Sequence, residues 1–386
     1  MKIKAIWCLS LLMLIASFAT AQIPCGPTIT PLPTLFVNWP QFRFNPNHSG
    51  CNPNESILSP ATVVNLTLKW IYTAGNLVES SPAVSNGVVY VGSDDGNVYA
   101  LNAGTGALLW NYTTPTDVES SPAVVNGVVY VGSDGGNVYA LSASTGALLW
   151  KYATGGQVFS SPAVVNGVVY IGSTDGNAYA LDASTGGSLW KYTTGDGIGS
   201  SPAVANGVVY VGSFGGNVYA LNASTGALLW KYATGGSVYD SSPAVATGVA
   251  YVGSADGNVY ALNAATGALL WKYTTGGGVQ SSPAVANGVV YIGSFDNNVY
   301  ALNASTGTLL WKYATGGIVL SSPAVANGVV YVGSDDGNVY ALNANAGTLL
   351  WKYATGLYVH SSPTVANGVV YVGSEDDHLY AFGLPH

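Results

Sequence analysis

Short apolar runs alternate with turn-forming residues along most of the chain. In residues 200–234 the runs are SSPAV, GVVYVGS, VYALNA and ALLWKYAT, separated by Asn206-Gly207, Phe-Gly-Gly-Asn and Ser-Thr-Gly. Asn-Gly between apolar runs is a strong hairpin signal because both residues accept a positive φ. No stretch has a helical period long enough to compete, so the pattern predicts four short antiparallel strands in this unit.

The same unit recurs along the chain, marked by one tryptophan per copy. The spacing is 40 residues, with one interval of 41 after Trp230. The marker residues are Trp70, Trp110, Trp150, Trp190, Trp230, Trp271, Trp311 and Trp351. A period near 40 is typical of solenoids and propellers. Because the strands are apolar at consecutive positions, both sheet faces are expected to be covered, as in a propeller blade packed between its neighbours.

The number of blades follows from the ends of the repeat. Seven complete units run from Ser-Ser-Pro to Trp, and an eighth begins at Ser361 but ends without its tryptophan strand. Residues 66–75 contain Trp70 without preceding strands. We therefore predict an all-β, eight-bladed propeller over residues 61–386, closed by the N-terminal strand with Trp70. Small Ser-Ser-Pro residues suit the crowded axis, and proline is expected to leave the inner edge unpaired.

Residues 100–110, Ala-Leu-Asn-Ala-Gly-Thr-Gly-Ala-Leu-Leu-Trp, resemble the tryptophan-docking motif of pyrroloquinoline-quinone (PQQ) repeat proteins. Thr185-Gly186 to Trp190 and Thr225-Gly226 to Trp230 repeat it. The resemblance covers residues 61–386 and implies that each Trp packs between the Ala of the motif and the Gly of a neighbouring blade. Asp at the third motif position is present only at Asp182.

Residues 39–70 also resemble the lead-in segment of these proteins. The family includes quinoprotein alcohol dehydrogenases and outer-membrane assembly factors of the BamB type. The resemblance therefore implies a fold without selecting one function.

The N-terminus has the features of an export signal. Two lysines are followed by an apolar stretch and by Ala-Thr-Ala, which predicts a cleaved signal peptide over residues 1–21. An uncleaved signal anchor is the alternative. Residues 22–60 then form a lead-in segment, in which Cys25 and Cys51 are expected to pair as a disulfide in an exported chain. We expect a periplasmic, outer-membrane peripheral or extracellular protein with no later membrane span.

Acidic residues are concentrated in two sets of loops. Strand direction places the loop before each Ser-Ser-Pro on the same rim as the Ser-x-Asp-Gly-Asn turn, and of 18 acidic residues only Glu55 and Asp182 lie elsewhere. The lysines that follow the tryptophans lie on the outer strands. Tight turns favour Asp and acidic turns aid solubility, which explains this distribution without a function. The alternative is a negative field that attracts cations or a basic partner.

The residue before each Ser-Ser-Pro varies and points into the mouth of the ring. The candidate binding set is Glu79, Glu119, Phe159, Asp240, Gln280, Leu320 and His360, with Gly199 in the remaining blade. A weaker hypothesis is a divalent metal site formed by His360, Glu375, Asp376 and His378. No nucleophile and base recur together, so no catalytic residue is predicted.

These features favour an exported, monomeric, non-enzymatic propeller that binds a protein or cell-envelope component through the acidic rim or a blade edge. BamB-like assistance in outer-membrane protein assembly is one specific form of this hypothesis. A separate hypothesis is a recently amplified array that forms a stable ring but has little specific role. The pI near 4.7 disfavours nucleic-acid binding.

The other functional class is a PQQ-dependent quinoprotein oxidoreductase. Dehydrogenases of the family have a disulfide between adjacent cysteines, and a calcium site and a catalytic Asp within long insertions. This chain has no pair of adjacent cysteines and no long insertion. PQQ carries three carboxylates, and the only arginine is Arg43, before the repeats. We expect no cofactor, with PQQ and calcium bound only under this alternative.

Overall fold

The structure is a computed structural model that describes residues 37–385; the predicted signal peptide, Cys25 and His386 lie outside that range. Eight antiparallel sheets of four strands form the blades of a closed propeller, which confirms the predicted fold class. One of these sheets has a fifth strand, Cys51–Asn52, which pairs in parallel with Ala324–Ala326. We name the strands of each blade a to d from the axis outwards and number the blades along the chain. Within residues 37–385 the helical structure is one 3₁₀ turn, Val63–Asn65, and no helix is long and apolar enough to cross a bilayer.

The strands repeat with nearly constant length. Strands a are Ala83–Ser85, Ala123–Val125, Ala163–Val165, Ala203–Ala205, Ala244–Ala246, Ala284–Ala286, Ala324–Ala326 and Thr364–Ala366. Strands b are Val88–Gly92, Val128–Ser133, Val168–Gly172, Val208–Gly212, Val249–Gly253, Val289–Gly293, Val329–Gly333 and Val369–Gly373. Strands c are Asn97–Asn102, Asn137–Ser142, Asn177–Asp182, Asn217–Asn222, Asn258–Asn263, Asn298–Asn303, Asn338–Asn343 and His378–Gly383. Strands d are Leu108–Thr113, Leu148–Ala153, Ser188–Thr193, Leu228–Ala233, Leu269–Thr274, Leu309–Ala314, Leu349–Ala354 and, for blade 8, Thr67–Thr73.

The two ends of the propeller meet in blade 8. Thr67–Thr73 pairs antiparallel with His378–Gly383, with Trp70 opposite Ala381. The ring is therefore closed by hydrogen bonds between the first and last propeller strands, as the incomplete eighth repeat predicted.

Each strand-d tryptophan reaches into the next blade. Trp110 donates from Nε1 to the Ala143 carbonyl at 2.9 Å, and the Tyr90 hydroxyl donates to the same carbonyl at 3.2 Å. The indole lies against Gly146, where a Cβ would approach the Trp110 ring to 2.6 Å and φ is +71°. Glycine is required there by both space and backbone conformation.

The contact between blades 7 and 8 is the exception to this pattern. Trp351 donates to the Leu66 carbonyl instead, and in the described part of the chain the Tyr331 hydroxyl has no hydrogen-bond partner. The difference arises because the last strand of blade 8 comes from the N-terminal part of the chain, so the residue just before Thr67–Thr73, and not a strand c–d turn, supplies the acceptor.

A ring of serines links the eight blades around the axis. The backbone N–H of the second serine in each blade donates to Oγ of the second serine in the next blade at 2.9–3.0 Å. The ring runs through Ser81, Ser121, Ser161, Ser201, Ser242, Ser282, Ser322 and Ser362 and returns to Ser81. The first serine of each motif accepts a strand-b N–H, as Ser80 does from Gly92 at 3.0 Å. Hydrogen bonding, and not small size alone, therefore explains the constant Ser-Ser pair.

The lead-in segment, residues 37–58, passes across the end of the channel at the strand a–b turns. Trp39 and Val84 exchange two backbone hydrogen bonds of 2.8 Å. In the next six blades the corresponding valine N–H donates to one lead-in oxygen: Val124 to Pro40 O, Val164 to Gln41 Oε1, Val204 to Pro46 O, Val245 to Asn47 O, Val285 to Ser49 O and Val325 to Gly50 O. In blade 8, Asn52 Nδ2 donates to the Val365 carbonyl at 2.8 Å. The expectation that proline leaves the inner edge unpaired is therefore wrong, because the lead-in pairs with the residue two positions later.

Buried polar contacts fix the end of this segment. The Glu55 carboxylate is fully buried and accepts the N–H groups of Ile57, Leu58 and Gly368. Cys51 is disulfide-bonded, and its predicted partner Cys25 lies outside the described residues. The lead-in is thus anchored to blades at both of its described ends.

Candidate functional site

A central well opens on the rim formed by the strand d–a loops and the strand b–c turns. Its volume is about 300 Å³, its lower wall is the ring of second serines, and Phe42 of the lead-in contributes to its lining. All seven residues of the predicted binding set line it: Glu79, Glu119, Phe159, Asp240, Gln280, Leu320 and His360. Because the lead-in pairs with the inner strands of all eight blades, it obstructs the channel below the well.

The acidic residues of this rim divide into two groups. In the first group, the second turn residue accepts a hydrogen bond from the tyrosine four residues later, as Asp95 does from Tyr99 at 2.5 Å. Asp95 also accepts the N–H groups of Asn97 and of Gly75 at 2.9 and 2.7 Å. The same Tyr–Asp contact is made by Asp175, Asp256, Asp296, Asp336 and Asp376. We call these six residues the tyrosine-bound aspartates.

Hydrogen bonding sets the charge state of this group. Burial raises the pKa of Asp95, but the hydrogen bonds from Tyr99, Asn97 and Gly75 outweigh burial and lower it overall. The pKa of Asp336 is lowered in the same way by Tyr340 and Gly316. These carboxylates stabilise the turns, so for them turn chemistry is a sufficient explanation.

The second group lies on the same rim and has the opposite behaviour; Glu119 and Asp240 line the well, whereas Asp94 and Asp134 belong to strand b–c turns beside it. Burial, followed by repulsion from neighbouring carboxylates, raises the pKa of Asp94 to about 7 and that of Glu119 to about 8. Burial is also the main cause that raises the pKa of Asp134 and of Asp240 to about 6. Oδ1 of Asp94 and of Asp134 are buried and accept no hydrogen bond in the described part of the chain. We call Asp94, Glu119, Asp134 and Asp240 the well carboxylates. His360 partly offsets the rise in the pKa of Asp240, whereas no cationic side chain does so for the other three.

His360 lies on the same rim among three other carboxylates. Its Nδ1 is 2.6 Å from Glu375 Oε1 and 3.8 Å from Glu79 Oε1, and its Nε2 is 3.0 Å from Asp335 Oδ1. Burial lowers the pKa of His360, but Glu79, Glu375 and Asp335 outweigh it and raise the pKa overall. The histidine is thus the one cationic side chain among the described residues that line the well.

The structure separates the four predicted metal ligands into two pairs. His360 and Glu375 lie together at the well. Asp376 instead accepts hydrogen bonds from the Tyr380 hydroxyl and the Gly356 N–H. His378 has its Nδ1 3.3 Å from Asp376 Oδ1 and is not part of the His360 group.

Aromatic side chains form another part of the well. Tyr239 stacks on Phe214 with ring centroids 3.8 Å apart, and Phe159 contacts Tyr239 edge-on at 6.0 Å. A Cβ at Gly199 would lie 1.9 Å from Cε2 of Tyr239. At this blade the residue before Ser-Ser-Pro is therefore fixed by packing, unlike its counterparts.

Sequence reasoning missed Glu79 and Asp335 as neighbours of His360, and it missed Tyr239. Two signals were available. The acidic doublets of blades 1, 7 and 8 (Asp94-Asp95, Asp335-Asp336 and Glu375-Asp376) place a second carboxylate beside each tyrosine-bound one. The 41-residue interval inserts one residue before Asp240, which makes room for the Tyr239 ring above Gly199.

The outer wall has a different character from the well. Strands d carry lysines at Lys151, Lys191, Lys231, Lys272, Lys312 and Lys352. They also expose leucines near the opposite rim, with Leu109 51% and Leu149 54% exposed. The blade edges are therefore apolar and basic, whereas the well is acidic.

Comparisons with protein-family models and with solved structures both indicate a β-propeller. Residues 60–249 match the family described as beta-alanine-activating enzyme, beta-propeller, and residues 237–320 and 314–383 match outer membrane protein assembly factor BamB. No curated protein matches the chain.

Several solved structures resemble the propeller at low sequence identity. BamB from Moraxella catarrhalis is 22% identical with a TM-score of 0.73, over 83% of this chain and 100% of that one. A europium-containing methanol dehydrogenase is 16% identical with a TM-score of 0.78, over 90% and 98%. Quinohemoprotein alcohol dehydrogenase from Comamonas testosteroni is 18% identical with a TM-score of 0.75, over 91% and 82%. At these identities the likeness establishes the fold alone.

Proposed function

Because the chain is a β-propeller built of PQQ-like repeats, we propose that it is an exported, non-enzymatic module whose acidic well receives a basic segment of a protein partner. The observation that carries the proposal is the group of well carboxylates. Burial and mutual repulsion raise the pKa of Glu119 and of Asp94, so these groups are held partly protonated near neutral pH.

A cation that enters the well would relieve this repulsion. A lysine or arginine side chain beside Asp94 and Glu119 would favour their ionised forms and bind more tightly as they lose protons. The aromatic surface of Tyr239 and Phe159 adds a face on which a guanidinium or ammonium group can lie. The well thus offers both charge and an aromatic contact to a basic side chain.

The residues of the well do not fit PQQ. The cofactor is a tricarboxylate, and within residues 37–385 no lysine or arginine lines the well. Arg43 is fully buried in the lead-in, where it donates to the Pro323 carbonyl at 2.6 Å. We therefore derive no oxidoreductase step from this site.

Envelope assembly is the more specific version of the proposal. It is supported by the match of the C-terminal repeats to outer membrane protein assembly factor BamB and by the signal-like N-terminus. The apolar and basic blade edges give a second surface for such a partner, with exposed leucines on successive strands d.

The test is binding of defined peptides to the mature chain. Fluorescent lysine-rich and glutamate-rich peptides of equal length are titrated at low and high salt. We expect binding of the lysine-rich peptide only, and weaker binding at high salt because screening shortens the range of the field. Asp94→Asn with Glu119→Gln should weaken it about tenfold, equivalent to about 1.4 kcal/mol.

The matched control is Asp196→Asn with Asp377→Asn, which makes the same change in net charge but, unlike the test variant, leaves every well-lining residue, including Glu119, unchanged. Equal binding by the two double variants would show that net charge, and not the well, attracts the peptide. The same pair of variants then serves as bait in an envelope extract, where proteins retained by the control and lost by the well variant are the candidate partners.

PQQ binding is tested separately. Titration with PQQ and calcium should leave the absorption spectrum of the cofactor unchanged and give no dye reduction. A spectral shift with dye reduction would contradict the non-enzymatic proposal.

A further inference from the structure

Three blades bring ligand atoms together around His360. Glu79 comes from the loop that enters blade 1, Glu375 from the strand b–c turn of blade 8 and Asp335 from the corresponding turn of blade 7. One ligand atom from each of Glu79, His360 and Glu375 lies within 4.8 Å of the other two. All four side chains are largely shielded, with 15–28% of each exposed.

Both imidazole nitrogens face carboxylates. Nε2 contacts Asp335 Oδ1 at 3.0 Å, and Nδ1 faces Glu375 and Glu79 at 2.6 and 3.8 Å. A neutral imidazole has one N–H, so one nitrogen would direct a lone pair at a carboxylate oxygen. This contact is relieved by a proton on the facing carboxyl, by a second proton on the ring, or by a cation between Nδ1 and the two glutamates.

A cation explains more of the surroundings than a proton does. The carboxylates of Glu79, Asp335 and Glu375 exceed the single charge of an imidazolium, and the well carboxylates lie on the same rim. In addition, Nε2 of His360 and Oδ1 of Asp335 are completely buried and make no well-formed hydrogen bond within the described residues. A metal-bound histidine commonly donates its second ring N–H to a carboxylate, and the 3.0 Å separation of Nε2 and Asp335 Oδ1 lets a small rotation of the ring complete that bond.

We propose that Glu79, His360 and Glu375 bind a divalent transition-metal ion such as zinc, with Asp335 as the positioning residue for the imidazole. An imidazole nitrogen with two carboxylates suits zinc, whereas calcium prefers oxygen ligands throughout. Three protein ligands leave a position open towards the well. The proposed ligands are different residues from Asp94 and Glu119, which carry the proposed peptide binding, so the two proposals can be tested with different variants.

The experiment is zinc and cobalt binding to the metal-free mature chain at fixed ionic strength. Calorimetry with zinc should give one site per chain, and cobalt should give visible absorption bands with nitrogen and oxygen ligation. His360→Asn and Glu375→Gln should each weaken zinc binding at least tenfold and abolish the cobalt spectrum. Asp335→Asn should weaken zinc binding by about 10- to 100-fold while the cobalt spectrum changes in shape, as expected of a positioning residue.

The matched controls are His378→Asn, which removes the other rim histidine, and Asp196→Asn, which removes one acidic charge away from the site. Both should retain the site. No stoichiometric binding to the unsubstituted chain would overturn the proposal, as would equal affinities of the His360 and His378 variants. Circular dichroism of each variant verifies folding, and peptide binding by Asp94 and Glu119 variants remains a separate result.

Discussion

Two neighbouring residues of one turn, Asp94 and Asp95, show how position decides the role of an aspartate. Asp95 accepts three hydrogen bonds and its pKa is lowered overall, whereas Oδ1 of Asp94 accepts none within the described chain and its pKa is raised to about 7. Asp336 and Asp335 differ in the same direction. The repeat therefore contains two functions in adjacent positions: one carboxylate that maintains the turn and one that is free to differ between blades.

The largest expected effect on stability comes from removing each of these two carboxylates in turn. Asp95→Ala leaves the Tyr99 hydroxyl and the N–H groups of Gly75 and Asn97 without their acceptor, and we expect a loss of about 1–3 kcal/mol of unfolding free energy. Asp94→Ala removes charge repulsion, and it breaks no hydrogen bond to Oδ1. The free energy of unfolding should therefore be unchanged or slightly higher at pH 8. Chemical denaturation of both variants measures the difference, and equal losses would show that the two groups do not differ.

A second prediction concerns Gly199, the exception among the variable residues. Gly199→Ala places a Cβ on the Tyr239 ring, so the ring must move, and we expect a loss of about 1 kcal/mol. Gln280→Ala at the equivalent position of blade 6 should have little effect. In a Tyr239→Ala background the cost of Gly199→Ala should disappear, and a cost that persists would place its cause in the backbone.

A third prediction concerns the pH dependence of stability. The folded chain holds protons on Glu119 and Asp94 that the unfolded chain has released, since their pKa values are raised to about 8 and about 7. Unfolding free energy should therefore fall as pH rises from about 4.5 to about 8. The lowered pKa of Asp95 acts in the opposite direction, and its contribution is lost only as pH falls below the ordinary range of an aspartate.

Thermal melts across this range, repeated for Glu119→Gln, measure the dependence. The variant should be less sensitive to alkaline pH than the unsubstituted chain. A profile unchanged by Glu119→Gln would indicate that this carboxyl is ionised throughout.

Much of the architecture could be predicted from the sequence because it depends on local and periodic signals. The Asn-Gly turns, the 40-residue tryptophan spacing and the missing eighth tryptophan strand predict the blades, their number and the closure through Trp70. The signal peptide over residues 1–21 and the Cys25–Cys51 pairing stay predictions, since they involve residues outside 37–385.

The lead-in and the site were harder to predict because their contacts join distant residues. Residues 40–50 have no periodic pattern, yet they pair with valines up to 275 positions away, as Gly50 does with Val325. Likewise, Glu79 and His360 lie at opposite ends of the repeat array and meet only because the ring closes. Side-chain direction within each acidic doublet also depends on neighbouring blades, which a single repeat does not contain.

The lead-in has a consequence for how the repeat array can evolve. Nearly identical repeats of 40 residues are prone to gain or lose a copy by unequal recombination, and each gain or loss would leave a self-similar array. The lead-in, however, makes at least one hydrogen bond to each of the eight blades, from Trp39 in the first to Asn52 in the last. An array of seven or nine copies would leave a contact without a blade or a blade without a contact, so the contacts of this short segment match a ring of eight repeats and no other number.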